Sequence, residues 1–267
     1  MSVPVDIFRP ELRSLRPYRA ATYEAGLVRL NANEVPWAGA TGLNRYPPVR
    51  DDRLTQRLAD HYGVSADRLL VTRGSSEAIE LLIRALCRPG EDRLIICPPT
   101  FGMYAHYAQV QGAGIVGVPL RADAGFALDV AAIKAAWTDT TKLLFVCSPN
   151  NPTGNELAIE DLVDLCEYVD GRGLVVVDAA YAEFATNTDQ LMGLLDRFPQ
   201  LVILRTLSKA LGLAGVRCGA LISSADVVGY VGRIMPPYAF SSPCSAAVMA
   251  ALEPAARASA DEQLDDI

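Results

Sequence analysis

Seven short apolar runs recur down the chain and leave few folds open to it: Arg68–Thr72 (RLLVT), Arg93–Cys97 (RLIIC), Gly114–Pro119 (GIVGVP), Lys142–Cys147 (KLLFVC), Leu174–Val177 (LVVV), Leu201–Leu204 (LVIL) and Cys218–Ser223 (CGALIS). A strand with one wet face alternates apolar and polar residues. These runs do not, so they predict strands buried on both sides, the condition of a mainly parallel sheet covered by helices. Between them the period changes. Leu54, Leu58, His61 and Tyr62 repeat at helical spacing until Gly63 stops them, Glu77 to Cys87 is closed by Pro89 and Gly90, and Asp129–Trp137 and Ile159–Val169 read the same way. The predicted class is α/β, a seven-stranded sheet between helices. No internal repeat, low-complexity tract or Pro/Gly/Ser linker divides the chain. The first forty or so residues, with scattered prolines and no clean period, read as an irregular arm that packs on something else.

Composition narrows the function classes. With 51% hydrophobic and 21% charged residues the 267-residue chain can bury a core, which excludes a disordered protein. A net charge of −7 argues against a nucleic-acid binder, whose phosphate partner needs a basic face. No run of about eighteen apolar residues occurs, and Met1–Pro10 lacks the basic-then-apolar order of a signal peptide, so no membrane association and a cytoplasmic location are expected. The six cysteines never stand at CxxC spacing and read as reduced core thiols. His61 and His106 are the only histidines, and no metal is expected. Lys134, Lys142 and Lys209 are the only lysines, so a catalytic lysine has three candidates.

In open α/β sheets ligands bind beyond the carboxyl ends of the strands, and those positions are chemically rich here. Gly74, Ser75 and Ser76 open a helix after the first run, which makes an anion site or a plain N-cap. Ser148-Pro149-Asn150-Asn151-Pro152-Thr153-Gly154 is a rigid turn that can present an amide, or a turn and nothing more. Asp178, with Tyr181 three residues on, is a carboxylate at the end of a buried strand, costly unless it meets a cation or donor, or else a helix cap. Lys209 lies in a small-residue segment that ends at Arg217, where a surface lysine is the bland alternative. No dinucleotide fingerprint or Walker A sequence is present. Taken jointly, an anion cradle, a carboxylate, a phenol, an amide, a lysine and an arginine meet the needs of pyridoxal 5′-phosphate: a lysine for the Schiff base, a carboxylate for the ring nitrogen, and an anion site for the phosphate.

With these residues in view, LNANE (Leu30–Glu34), NRYP (Asn44–Pro47), RGSSEAIELLIRALC (Arg73–Cys87), CPPTFGMY (Cys97–Tyr104), VCSPNNPTG (Val146–Gly154), VVDAAYAEF (Val176–Phe184) and LRTLSKALGLAGVRCG (Leu204–Gly219) mark the chain as similar to the fold-type I pyridoxal-phosphate aminotransferases, and more closely to their histidinol-phosphate branch. The resemblance implies a homodimer that exchanges the amino group of histidinol phosphate with 2-oxoglutarate, giving imidazole-acetol phosphate and glutamate, in histidine biosynthesis. By position, it implies that Lys209 binds the cofactor and moves the substrate proton, Asp178 pairs with the ring nitrogen, and Asn151 and Tyr181 hold the phenolic oxygen. Phe101 would lie against the ring. Gly74, Ser75, Ser76, Ser208 and Arg217 would hold the phosphate, joined by Tyr46 of the partner subunit. Tyr18 and Asn33 would face the substrate.

Two departures stand out. Ala179 occupies a position where the family usually has Glu, and the sequence ends before the small C-terminal domain that carries the family's substrate-clamping arginine. The expected organisation is an arm with part of a small domain over 1–45, a cofactor domain over 46–250, and the start of an interdomain helix over 251–267. Two alternatives remain at this point: decarboxylation of a phosphorylated amino acid, and a cofactor-binding chain without turnover.

Overall fold

Each apolar run forms a strand in the computed structural model, which describes residues 3–20 and 26–257. The strands are β1 Leu69–Thr72, β2 Arg93–Ile96, β3 Gly114–Gly117, β4 Thr141–Cys147, β5 Leu174–Asp178, β6 Leu201–Thr206 and β7 Gly219–Ile222. They join in one sheet of order β1-β7-β6-β5-β4-β2-β3. The pairs β6·β5, β5·β4, β4·β2 and β2·β3 are parallel, and β7 runs antiparallel to both its neighbours.

Nine helices accompany the sheet among the described residues: α1 Pro10–Arg13, α2 Asp52–Tyr62, α3 Ser75–Leu86, α4 Met103–Gln111, α5 Val130–Ala136, α6 Ile159–Val169, α7 Thr188–Gly193, α8 Ala225–Gly232 and α9 Ser242–Ala251. Their ends follow local chemistry. The Asp51 carboxylate accepts from Leu54 N–H at 3.1 Å and starts α2, and Gly63 ends it in the left-handed region. Asp129 caps α5 in the same way through Ala132 N–H.

Alternation along the buried strands assigns side chains to two cores. Val175, Val177, Leu201 and Ile203 pack with α2, α5, α6, α7 and α9 on one face. Leu174, Val176, Val202 and Leu204 pack with α3, α4 and α8 on the other. Both faces are dry, which is why the runs carry no polar alternation.

The start of the arm is built into the second core. Val3, Ile7 and Phe8 are buried there, and the Phe8 ring stacks on Tyr230 at 4.5 Å between centroids. Burying such a side chain contributes about 1.5–3 kcal/mol. Farther along, Leu27, Val28, Leu30 and Trp37 face outward from this chain. Of the interdomain helix expected over 251–267, residues 258–267 lie outside the described residues.

Because β7 is reversed, its first residue lies at the edge where the parallel strands end. Gly219 stands opposite both Thr72 of β1 and Thr206 of β6. A Cβ there would fall 2.7 Å from the Arg205 carbonyl oxygen and 2.8 Å from the Gly74 backbone. Only glycine lets the turn after β1 approach so closely. Gly219→Ala is expected to lower stability by about 1–3 kcal/mol through this backbone clash. An unchanged urea unfolding midpoint would contradict the stated rigidity.

Candidate active site

Five chain segments meet at this edge and line a cavity of about 120 Å³. It is lined by Ser75, Ser76, Phe101, Cys147, Asn151, Asp178, Ala180, Tyr181, Thr206, Ser208, Lys209 and Arg217.

One corner is built for an anion. Gly74, at φ 79°, turns the chain into α3, so Ser75 and Ser76 open that helix with their backbone N–H groups free of helical partners. Arg217, in the left-handed region at φ 58°, sends its guanidinium across Gly74, where a Cβ would meet Nη2 at 2.8 Å. The guanidinium donates to the Ala214 and Arg73 carbonyls at 3.2 and 3.5 Å and to Ser208 Oγ at 3.4 Å. Beneath the turn, the buried Glu77 carboxylate accepts from Arg73 N–H at 2.6 Å and holds the turn in place.

The two asparagines after β4 divide their work. Asn150 is buried and consumed by the turn, donating to Pro99 O at 2.9 Å and to Thr153 Oγ1 at 2.6 Å, and accepting from Thr100 Oγ1 at 3.1 Å. Asn151 faces the cavity, and its amide donates to Tyr181 Oη at 3.4 Å. Lys209 Nζ lies 5.4 Å from the centre of the same Tyr181 ring. The other two lysines are engaged elsewhere, Lys134 with Asp164 and Lys142 with the Asp139 carbonyl.

Asp178 closes β5 at the floor of the cavity and is 2% exposed. Its Oδ2 accepts from Tyr104 Oη at 2.8 Å, while Oδ1 is buried with no partner. Burial pushes the carboxyl up to about 6, against the lowering effects of Tyr104, the Ala180 backbone and Lys209. Tyr104 is itself fully buried, stacked on Phe145 at 4.9 Å and edge-on to Phe101 at 5.7 Å. Its phenol is held well above the usual range, first by burial and then by Asp178, so it acts as a donor. Burial likewise raises the Cys147 thiol to about 12, which keeps it neutral beside the cavity.

Most of the sequence-predicted residues therefore meet in one place. Gly74 does not line the cavity but makes room for Arg217. Tyr18, Asn33 and Tyr46 do not reach it within this chain. Tyr46 stacks on Tyr238 at 4.7 Å, Tyr18 meets the same ring edge-on at 6.1 Å, and Asn33 and Tyr46 line a separate groove with Glu34 and Tyr238. Sequence reasoning missed Tyr104, Thr206 and Cys147. Tyr104 follows Phe101 by three residues at the start of α4, and that spacing was the available signal. Among the described residues no cluster of His, Cys, Asp or Glu could hold a metal ion, and no helix is long and apolar enough to cross a membrane.

Comparison with known proteins agrees with this geometry. The profile of the family Aminotransferase class I and II matches residues 27–266. A histidinol-phosphate aminotransferase of Yersinia enterocolitica is 43% identical over 256 residues, covering 93% of this chain and 67% of the relative. One of Pectobacterium carotovorum is 44% identical over 250 residues, covering 91% and 69%. The crystal structure of histidinol-phosphate aminotransferase from Sinorhizobium meliloti, in complex with pyridoxal-5′-phosphate, superimposes with a TM-score of 0.74 at 26% identity, covering 84% of this chain and 60% of that one. The chain thus spans about two thirds of the length of the curated relatives it matches. On sequence and fold alike, it belongs to the class I and II aminotransferases, in their histidinol-phosphate aminotransferase branch.

Proposed function

We propose that the protein is a pyridoxal-phosphate-dependent transaminase that converts L-histidinol phosphate and 2-oxoglutarate to imidazole-acetol phosphate and glutamate, in histidine biosynthesis. The observation that carries this reading is the unpartnered Asp178 Oδ1 in a cavity that also holds Lys209 and an anion corner. A buried carboxylate oxygen without a donor fits a protonated ring nitrogen, and the Ser75–Arg217 corner fits a phosphate. The decarboxylase alternative is not favoured, since the curated relatives carry the transaminase name.

When bound, the cofactor supplies an electron-withdrawing ring that makes the substrate Cα–H acidic. The rest follows from this chain's own groups. Lys209 would hold the cofactor through Nζ, and the same Nζ, once free, is the base placed to carry the substrate proton. Asp178 would keep the ring nitrogen protonated, and Tyr104 would hold that carboxylate in its orientation. Asn151 and Tyr181 would donate to the phenolic oxygen and stabilise its anionic form. Phe101 would cover the ring, and Ser75, Ser76, Ser208 and Arg217 would bind the phosphate. A homodimer in the cytoplasm completes the reading: Tyr46 and the apolar residues of the arm are exposed on this chain and do not line its cavity, which fits a contribution to a partner, and Tyr18 and Asn33 would face the substrate.

Three outcomes test the reading. Mixing the protein with pyridoxal phosphate should give the absorbance of a lysine-bound cofactor, and adding histidinol phosphate should convert it to that of the pyridoxamine form. Lys209→Ala should abolish the first signal, and an unchanged spectrum would contradict the assignment of the lysine. Tyr104→Phe keeps the cavity shape but removes a donor to a carboxylate, and should weaken cofactor affinity about tenfold. Equal affinity by fluorescence titration would remove Tyr104 from the site.

The third concerns pH. Because the Asp178 carboxyl is raised from 3.8 to about 6 in the folded chain, its contribution to cofactor-free stability is fully present below pH 3.8 and lost as pH rises through about 6. Asp178→Asn is neutral throughout. The stability of the variant should therefore gain on that of the wild type across this window, by about 3 kcal/mol in all. A pH-independent difference would refute the buried-carboxylate account.

A further inference from the structure

Below the cavity, two charges are buried where the fold gives them little to do for stability. Arg205 shares the face of β6 occupied by Leu201 and Ile203, so its side chain enters the apolar layer between the sheet and α2. It is 7% exposed, and its only anionic partner among the described residues is Glu183, 8% exposed, through Nη2 to Oε1 at 2.8 Å. The guanidinium lies 4.9 Å from the centre of the Tyr62 ring at the end of α2. Arg205 Nε, Glu183 Oε2 and Tyr62 Oη are all buried without partners. Two desolvated charges joined by one hydrogen bond stabilise poorly, and apolar replacements of similar volume are often neutral or better.

What the pair does have is position. Glu183 stands two residues after Tyr181, and Arg205 four residues before Lys209. The last backbone rung between these two segments among the described residues is Ala179 N–H to Leu204 O at 3.0 Å. Beyond it the chains diverge, and the ion pair ties them at the point from which Tyr181 and Lys209 depart. Neither charge lines the cavity; the groups that face Lys209 there are Tyr181, Asp178 and Arg217.

We propose that Arg205 and Glu183 are positioning residues that fix the Tyr181 phenol relative to Lys209. The inference rests on the reading of the cavity as a pyridoxal-phosphate site. With the pair intact, Tyr181 and Asn151 stabilise the phenolic oxygen and favour the deprotonated form of the lysine-bound cofactor. With the pair lost, Tyr181 moves and that form is less favoured.

The test is a spectroscopic pH titration of the cofactor bound to Lys209, in the wild type and in Arg205→Met/Glu183→Met. The double variant leaves net charge unchanged. Its midpoint is expected to rise by about one pH unit, a tenfold change, while the cofactor-free protein unfolds at a temperature close to that of the wild type. Arg205→Lys keeps the charge but loses the planar fork, and should shift the midpoint in the same direction by less. An unchanged midpoint in either folded variant overturns the inference and leaves the cofactor reading standing. A wild type that shows no lysine-bound cofactor absorbance overturns both.

Discussion

A carboxylate at the end of a strand whose every residue is buried is the interaction on which the rest of this structure turns. Asp178 accepts from the Tyr104 phenol through one oxygen, and its second oxygen is buried without a hydrogen-bond partner. Left alone, such a group takes up a proton, and its raised titration reflects that tendency. Given a cationic N–H it stays charged. The surrounding fold serves this choice: dry faces above and below the sheet keep water from the carboxylate, and the phenol fixes which oxygen remains open.

The anion corner answers the same logic from the other side of the cavity. Helix α3 begins there with free backbone N–H groups, and Arg217 lies over a residue that must be glycine for the guanidinium to fit. A ligand that carries a cation at one end and an anion at the other therefore finds both complements, and Lys209 stands with them along the same wall. Ala179, where the family usually has Glu, is fully buried and bonded through its backbone N–H to Leu204 O, so the departure leaves the strand end intact.

Much of this was legible in the sequence, for reasons that differ from residue to residue. The strands were readable because burial on both faces erases polar alternation, and Asp178 because a carboxylate closing such a run is anomalous. Asn151 was singled out from Asn150 only by resemblance; the fold supplies the physical reason, since the turn consumes the Asn150 amide. Tyr104 was hidden because α4 carries polar and aromatic residues without a clear apolar stripe. Arg205 was hidden because the run LVIL ends before it, whereas the strand continues to Thr206. Tyr18, Asn33 and Tyr46 were placed by resemblance alone, and within one chain they assemble around Tyr238, apart from the cavity.

The reversal of β7 sets a limit on how this site can vary. A parallel crossover would return the chain to the opposite edge of the sheet, with freedom in the length of the connection. Here the segment from Leu207 to Cys218 leaves and re-enters at one edge, pinned at its base by Leu207 N–H to Cys218 O at 3.0 Å. It works as a closed clasp with Lys209 near one hinge and Arg217 near the other. Adding or removing a residue inside it would leave every strand paired and still change the span between the Lys209 amine and the Arg217 guanidinium, so the length of this segment is fixed by the two groups it carries and not by the sheet.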